Sequence, residues 1–191
     1  MNIPGESDIV LIAGRKQSGK TWLVKRGLAR VARWVVWDVK GEYADPSRGV
    51  AGARLWTDLR AWRAHLLAGG TIEREVFACP SSQFLAWCRW VFQTGNLLVV
   101  IEELSRYCTS AKPPPALLDL FERSRHAHLD LIATTARVAR VNVDIRSQVD
   151  QVLLARHSEP NDCAYIADWL GEPTVARIRD LQPLRFVRIR P

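Results

Sequence analysis

The chain has 191 residues, enough for one domain with a substantial core, and its 48% hydrophobic content is that of an ordinary globular protein. The net charge of +7 favours a polyanionic partner such as DNA or RNA. The longest apolar runs fall far short of the ~20 residues that a membrane helix needs. The first residues also lack a secretory signal pattern, so a soluble, intracellular chain with no transmembrane segment of its own is expected.

Ile9–Ala13 is a near-continuous apolar run and reads as a strand buried on both faces. It leads into Gly14-Arg15-Lys16-Gln17-Ser18-Gly19-Lys20-Thr21 and then Trp22, at the start of a helix predicted over Lys20–Val31. Gly14-x4-Gly19-Lys20-Thr21 between a strand and a helix is a phosphate-binding loop. Its glycines let successive N–H groups turn inward, and the helix N-terminus adds partial positive charge. Lys20 is expected on the β- and γ-phosphates of ATP, and the Thr21 hydroxyl on Mg2+. The cofactor-binding residues are therefore Gly14 to Trp22: Gly14, Arg15, Lys16, Gln17, Ser18, Gly19, Lys20, Thr21 and Trp22.

A second strand over Trp34–Trp37 ends at Asp38 in "VVWDVKGEYAD", and a helix follows over Asp58–Leu67. A strand over Val76–Cys79 and a helix over Ser82–Phe92, capped by Ser81 or Ser82, come next. Trp87 and Trp90, three residues apart, mark one buried face of that helix.

Leu97–Ile101 is again apolar and ends in Glu102-Glu103. An acid at the tip of a strand beside the phosphate loop holds magnesium through water; this is the expected role of Glu102, with Thr21 as the other metal-site residue. Glu103 points differently, because side chains alternate on a strand, and is placed to polarise an attacking water. A hydrolase needs that second acid, whereas a small phosphate-loop kinase does not.

"KPPP" at Lys112–Pro115 reads as a rigid extended loop. A helix over Ala116–Arg125, a strand over Leu129–Thr134 and an Arg-studded loop at Arg137–Arg146 follow. The chain closes with a strand over Val152–Ala155, a helix over Asn161–Leu170 opened by Asn161 or Pro160, and an edge strand over Phe186–Ile189. Leu184, Phe186 and either Val187 or Ile189 are expected to face inward there, with Arg185, Arg188 and Arg190 towards solvent. The four cysteines show no CxxC pair or zinc spacing and read as reduced thiols. Alternating strands and helices predict one α/β domain over 1–191, with a mostly parallel central sheet flanked by helices.

Four segments together resemble the FtsK/HerA superfamily of DNA-pumping ATPases. They are the phosphate loop, "DVKGEY" at Asp38–Tyr43, the double-acid strand, and "RHAHLDLIATTAR" at Arg125–Arg137. The resemblance implies a RecA-like P-loop NTPase core. It implies Lys20, Thr21, Glu102 and Glu103 acting in cis, and Arg125 acting in trans as an arginine finger, with Arg123 as second choice. That superfamily usually ends the last of these strands in Thr-Gln-Arg. Here Thr135-Ala136-Arg137 lacks the Gln sensor, which leaves Thr134 or Thr135 to replace it.

The resemblance further implies a homo-oligomeric, hexameric ring with ATP between subunits and double-stranded DNA in the pore. The pore loops are expected at Arg106–Lys112 and Arg137–Arg146. A bare core of this size is most similar to the genome-packaging ATPases of membrane-containing icosahedral double-stranded DNA viruses. That implies docking on capsid vertex or membrane proteins, in the host cytoplasm and at the packaging vertex; outside a virus, the cytoplasm. The alternatives are a small-molecule phosphotransferase and a nucleotide-binding virion assembly protein with little hydrolysis.

Overall fold

The apolar runs assemble into one sheet in a computed structural model that describes residues 8–108 and 112–191. In chain order the elements are β1 (Ile9–Ala13), α1 (Lys20–Leu28), β2 (Trp34–Trp37), β3 (Arg54–Trp56), α2 (Leu59–Leu67), β4 (Arg74–Phe77), α3 (Phe84–Thr94), β5 (Leu97–Ile101), α4 (Pro115–Glu122), β6 (Leu129–Thr135), α5 (Val143–Arg146), β7 (Gln151–Leu154), α6 (Pro160–Leu170), α7 (Glu172–Arg179) and β8 (Val187–Ile189). The strand order is β3-β4-β2-β5-β6-β1-β7-β8. All neighbours pair in parallel except β7 and β8.

Parallel strands joined by crossovers are covered on both faces, and β1 shows how. Ile9, Leu11 and Ala13 point into the larger core with Trp62 of α2, Trp87 of α3, Leu117 of α4 and Ile166 of α6. Val10 and Ile12 point into a smaller core with Val24 and Leu28 of α1 and with Tyr43. This continuous burial is why the central strands read as unbroken Val, Ile and Leu instead of alternating. The parallel arrangement puts the C-terminal ends of β1, β5 and β6 side by side, and the phosphate loop, the double acid and the Thr pair all leave from that edge.

Several predicted boundaries move. α1 ends at Leu28, three residues early. β4 lies two residues upstream of the predicted 76–79. α3 begins at Phe84 after a 3-10 turn over Ser81–Gln83, and neither serine caps it with its side chain. The proline run is not all loop, since Pro115 is the first residue of α4, where a missing N–H costs nothing. α4 stops at Glu122, and Arg125 sits on a separate 3-10 turn, Ser124–Ala127. At α6 Pro160 is the first residue, while the Glu159 side chain accepts from the Asp162 N–H and caps the helix.

Three elements carry no sequence expectation. β3 is a three-residue edge strand, α5 a single turn inside the Arg-studded loop, and α7 a polar helix. The last strand turns as expected in part. Val187 is buried and Arg188 exposed, but Leu184 is 47% exposed, with a positive φ of 63°.

Candidate active site

The phosphate loop is built by close approach of backbone to backbone. Gly14 leaves β1 with its N–H on the Thr135 carbonyl, and the Arg15 N–H donates to Arg156. A Cβ at Gly14 would lie 2.6 Å from the Ala155 Cβ and 2.7 Å from the Ser18 Oγ, so no larger residue fits there. Gly19 caps α1 with φ 95°, a left-handed conformation that glycine adopts without strain. No side chain caps α1, which leaves the first N–H groups of the helix as an anion seat.

Lys20 is buried, and its Nζ donates to the carbonyls of Gly14 (2.7 Å) and Arg15 (3.1 Å). Burial pulls its pKa below the usual lysine value, against the opposing pull of Glu103 and Glu102. A bound phosphate would supply a negative counter-charge to this ammonium.

Glu102 and Glu103 follow β5 at the same edge. Glu102 is gripped on three sides: Thr21 Oγ1 donates to its Oε1 at 3.3 Å, the Tyr43 hydroxyl to the same oxygen, and Thr134 Oγ1 to its Oε2. Burial pushes its pKa above the usual carboxylate value, and the hydrogen bonds from Thr134 and Tyr43 work against that rise. Glu103 has a left-handed backbone, φ 55°, a strain of order 1–3 kcal/mol for a non-glycine residue. Its N–H donates to Thr134 Oγ1 at 3.2 Å, and among the described residues none hydrogen-bonds its carboxylate. One acid is held fast and its neighbour is free in the cleft.

Thr134 therefore touches both acids. Thr135 turns away: its Oγ1 bonds the backbone of Arg137. Of the two residues left open as replacements for the missing Gln, Thr134 is the one whose hydroxyl contacts the acids.

The "DVKGEY" segment proves to be the support of Glu102. Asp38 accepts from the N–H groups of Lys40 and Tyr43, and this turn aims the Tyr43 hydroxyl at Glu102. Lys40, Glu42 and Arg106 stand on the cleft walls beside the two acids. The cleft of about 300 Å³ between the loop and these walls is at the lower end of the usual range for small-molecule sites. Thr21 and Glu102 offer it two hard oxygen ligands side by side. Among the described residues no group of three His, Cys, Asp or Glu gathers, so a cation here would draw its remaining ligands from water and phosphate, as Mg2+ commonly does. The residues fit that ion.

Arg125 is elsewhere. It precedes β6, whose seven residues span of order 20 Å, so it lies at the opposite edge from its own phosphate loop. Its Nη2 pairs with Asp150 Oδ1 at 2.9 Å, and Asp150 Oδ2 accepts from the Ile9 N–H at 2.8 Å. Arg123 pairs loosely with Asp119, at 3.8 Å.

The Arg-studded loop is not a row of free cations. Arg137 pairs with Glu159 (3.3 Å) and Asp162 (3.0 Å). Arg146 lies over the rings of Tyr165 and Trp169. Arg140 is exposed. In the other expected pore loop Arg106 and Lys112 are exposed, and Thr109, Ser110 and Ala111 lie outside the described residues.

The family model for zonular occludens toxin (Zot) matches residues 58–159, just over half of the 191-residue chain. Among solved structures, the genome packaging NTPase B204 of Sulfolobus turreted icosahedral virus 2, in complex with AMPPCP, is similar at 22% identity and a TM-score of 0.78. That likeness covers 96% of this chain and 92% of that one. The N-terminal domain of zonular occludens toxin from Neisseria meningitidis is similar at 17% identity and a TM-score of 0.54, over 86% and 91% of the two chains. The pCW3 conjugation coupling protein TcpA is similar at 13% and 0.59, over 97% of this chain and 60% of that one. No curated protein sequence matches. At these identities the structural likeness establishes the fold, that of the P-loop NTPases.

Proposed function

The chain belongs to the zonular occludens toxin (Zot) family, and from that premise we propose that it is an ATP-hydrolysing motor that moves double-stranded DNA. The observation that carries the reading is the continuous contact Thr21–Glu102–Thr134–Glu103, which ties the phosphate loop to both acids. A transferase whose nucleophile is a substrate group has no need of the second acid.

In this reading Lys20 leaves the carbonyls of Gly14 and Arg15 for the β- and γ-phosphate oxygens, and the free N–H groups at the start of α1 hold the chain of phosphates. Thr21 and Glu102 would hold Mg2+, which when bound neutralises charge on the phosphates. Glu103 orients a water in line with the γ-phosphorus and takes its proton as the new P–O bond forms. The electron pair of the breaking bond goes to the β-phosphate oxygen, and ADP and phosphate leave. Thr134 keeps the two acids in register. Arg125 faces away from its own site, which supports action in trans on the next subunit of a hexameric ring, where it would stabilise charge in the transition state.

The finer assignment is packaging of a viral genome into a preformed capsid, by a single ATPase domain over 1–191. Its support is the near full-length likeness in fold to a protein described as a genome packaging NTPase, together with the net charge of +7. Docking on capsid vertex or membrane proteins, in the host cytoplasm and at the packaging vertex, belongs to the same assignment. Among the described residues no helix is long and apolar enough to cross a membrane.

The test is ATPase rate with and without long double-stranded DNA across a range of salt. Stimulation that fades as salt rises is expected. Hydrolysis indifferent to DNA at low salt overturns the motor reading, and phosphate transfer to a small acceptor replaces it.

A further inference from the structure

Seven of the eight tryptophans are buried or half-buried, and Trp22 is 42% exposed. A large indole left in water beside a ligand cleft calls for a partner. Trp22 follows Thr21 directly and forms part of the wall of the cleft that holds Lys20, Glu102 and Glu103. The acids mark the γ-phosphate end of that cleft. The phosphate chain runs from there along the first turn of α1, so whatever is attached at its far end leaves past Trp22.

Two further observations bear on the same spot. The Arg26 guanidinium lies 4.7 Å from the centre of the Trp22 ring, which steadies the ring by cation–π attraction and occupies one of its faces. The segment before β8 folds back onto the loop: the Leu184 N–H donates to the Ser18 carbonyl at 3.3 Å, and the Leu184 side chain lies against Gly19. Leu184 is 47% exposed, although it is apolar and held in a left-handed backbone. Of the six large apolar side chains that are exposed among the described residues, Trp22 lines the cleft together with Gly19 and Leu184 lies against Gly19.

We propose that the open face of the Trp22 ring, at the end of the loop that Leu184 covers at Gly19, seats the base of the bound nucleoside triphosphate. The site rests on the phosphate-loop reading above and adds to it the base end of the ligand. Stacking of this kind needs only a flat π face and is tolerant of the base's identity.

The experiment compares binding of a non-hydrolysable ATP analogue with binding of inorganic triphosphate, by calorimetry, in the wild type and in Trp22→Ala and Trp22→Phe. Triphosphate serves as the control for folding and for the phosphate seat, because the Trp22 backbone N–H is kept in each variant. The expected result is roughly a tenfold loss of affinity for the analogue in Trp22→Ala, near-complete recovery in Trp22→Phe, and unchanged affinity for triphosphate throughout. Equal loss for both ligands would make Trp22 a shaper of the loop and overturn the proposal. Unchanged analogue affinity, including the case where Trp22→Ala alters only the association of subunits, would overturn it too. If the wild type binds neither ligand, the phosphate-loop reading itself falls.

Discussion

Glu102 and Glu103 are adjacent in sequence and opposite in circumstance. Three hydroxyls hold Glu102, while Glu103 keeps an unbonded carboxylate on a strained backbone. Glu103→Gln should therefore retain ATP and lose about 10²–10⁴-fold in turnover, the usual worth of a general base. Single-turnover hydrolysis and nucleotide binding measured on one preparation check this, and wild-type turnover would remove Glu103 from the role. Thr134 adds a finer test. Its hydroxyl is fully buried and serves both acids, so Thr134→Val leaves an unpaired donor and acceptor, at a cost of about 1–3 kcal/mol. Turnover should fall with that change and recover in Thr134→Ser. Equal activity of the Val and Ser variants would show that the hydroxyl is idle.

His157 gives the residue scale a pH dependence. Its Nδ1 donates to the Ala155 carbonyl at 2.9 Å, while Nε2 is buried with no hydrogen-bond partner. Protonation would bury an unpaired charged donor, and burial lowers the His157 pKa below 6.5. The unfolded chain thus binds this proton at a higher pH than the folded one. Stability is whole above pH 6.5 and is lost as pH falls from there towards the depressed folded value. In denaturant melts between pH 7.5 and 5, His157→Gln should flatten that decline. An unchanged slope would assign the acid sensitivity to other groups.

At the scale of elements, Arg125 illustrates what a linear pattern hides. The expected helix Ala116–Arg125 breaks after Glu122, and the 3-10 turn that follows aims Arg125 at Asp150, which in turn clips the start of β1. The exposed guanidinium is thereby parked on a partner 25 residues away in sequence, at the end of the sheet opposite the phosphate loop. As a finger it should be worth about 10³-fold or more in hydrolysis with little effect on ATP binding. Mixed assemblies of Arg125→Ala and Glu103→Gln subunits should regain activity, because some interfaces then pair an intact acid with an intact arginine. Full activity of Arg125→Ala alone, with no rescue in any ratio, would pass the role to Arg123 or abolish it. Asp150→Asn should lower turnover by loosening the same arginine, and its effect should vanish in the Arg125→Ala background if Asp150 acts through it.

What was legible at this scale followed physical range. The phosphate loop is a contiguous motif whose glycines and lysine announce the geometry, and the double acid ends a strand that is apolar throughout. Fully buried strands gave strong signals. β3 is a three-residue edge strand with two exposed positions, and α7 is a polar helix, so neither carries a clear period. The Tyr43 and Thr134 contacts with Glu102 span 59 and 32 residues, and only the parallel packing of β2, β5 and β6 brings them together. "DVKGEY" was visible as a motif, whereas its task of aiming a hydroxyl at the acid was not.

The whole molecule carries a net charge of +7, and the proposed motor function requires that charge where DNA phosphates would pass. Composition alone cannot say which cations are available, and the structure sorts them. Arg137 is neutralised by Glu159 and Asp162, and Arg146 is packed on two aromatic rings. Replacing either would disturb the joint between the loop and α6 as well as any grip on DNA. Arg106 stands on the wall of the nucleotide cleft, so its loss would mix two effects. Arg140 and Lys112 are exposed and free of these duties. If they hold phosphates, DNA affinity should fall steeply with salt and barely change with base sequence. Each contact removed should lower the log–log salt slope by about one unit, and by more in a ring, where every subunit repeats the substitution. In Arg140→Ala, Lys112→Ala and the double variant, DNA binding and DNA-stimulated hydrolysis against salt should both weaken, while ATPase without DNA stays at its wild-type rate because neither residue touches the cleft. An unchanged slope with full stimulation in the double variant would move the grip off both loops.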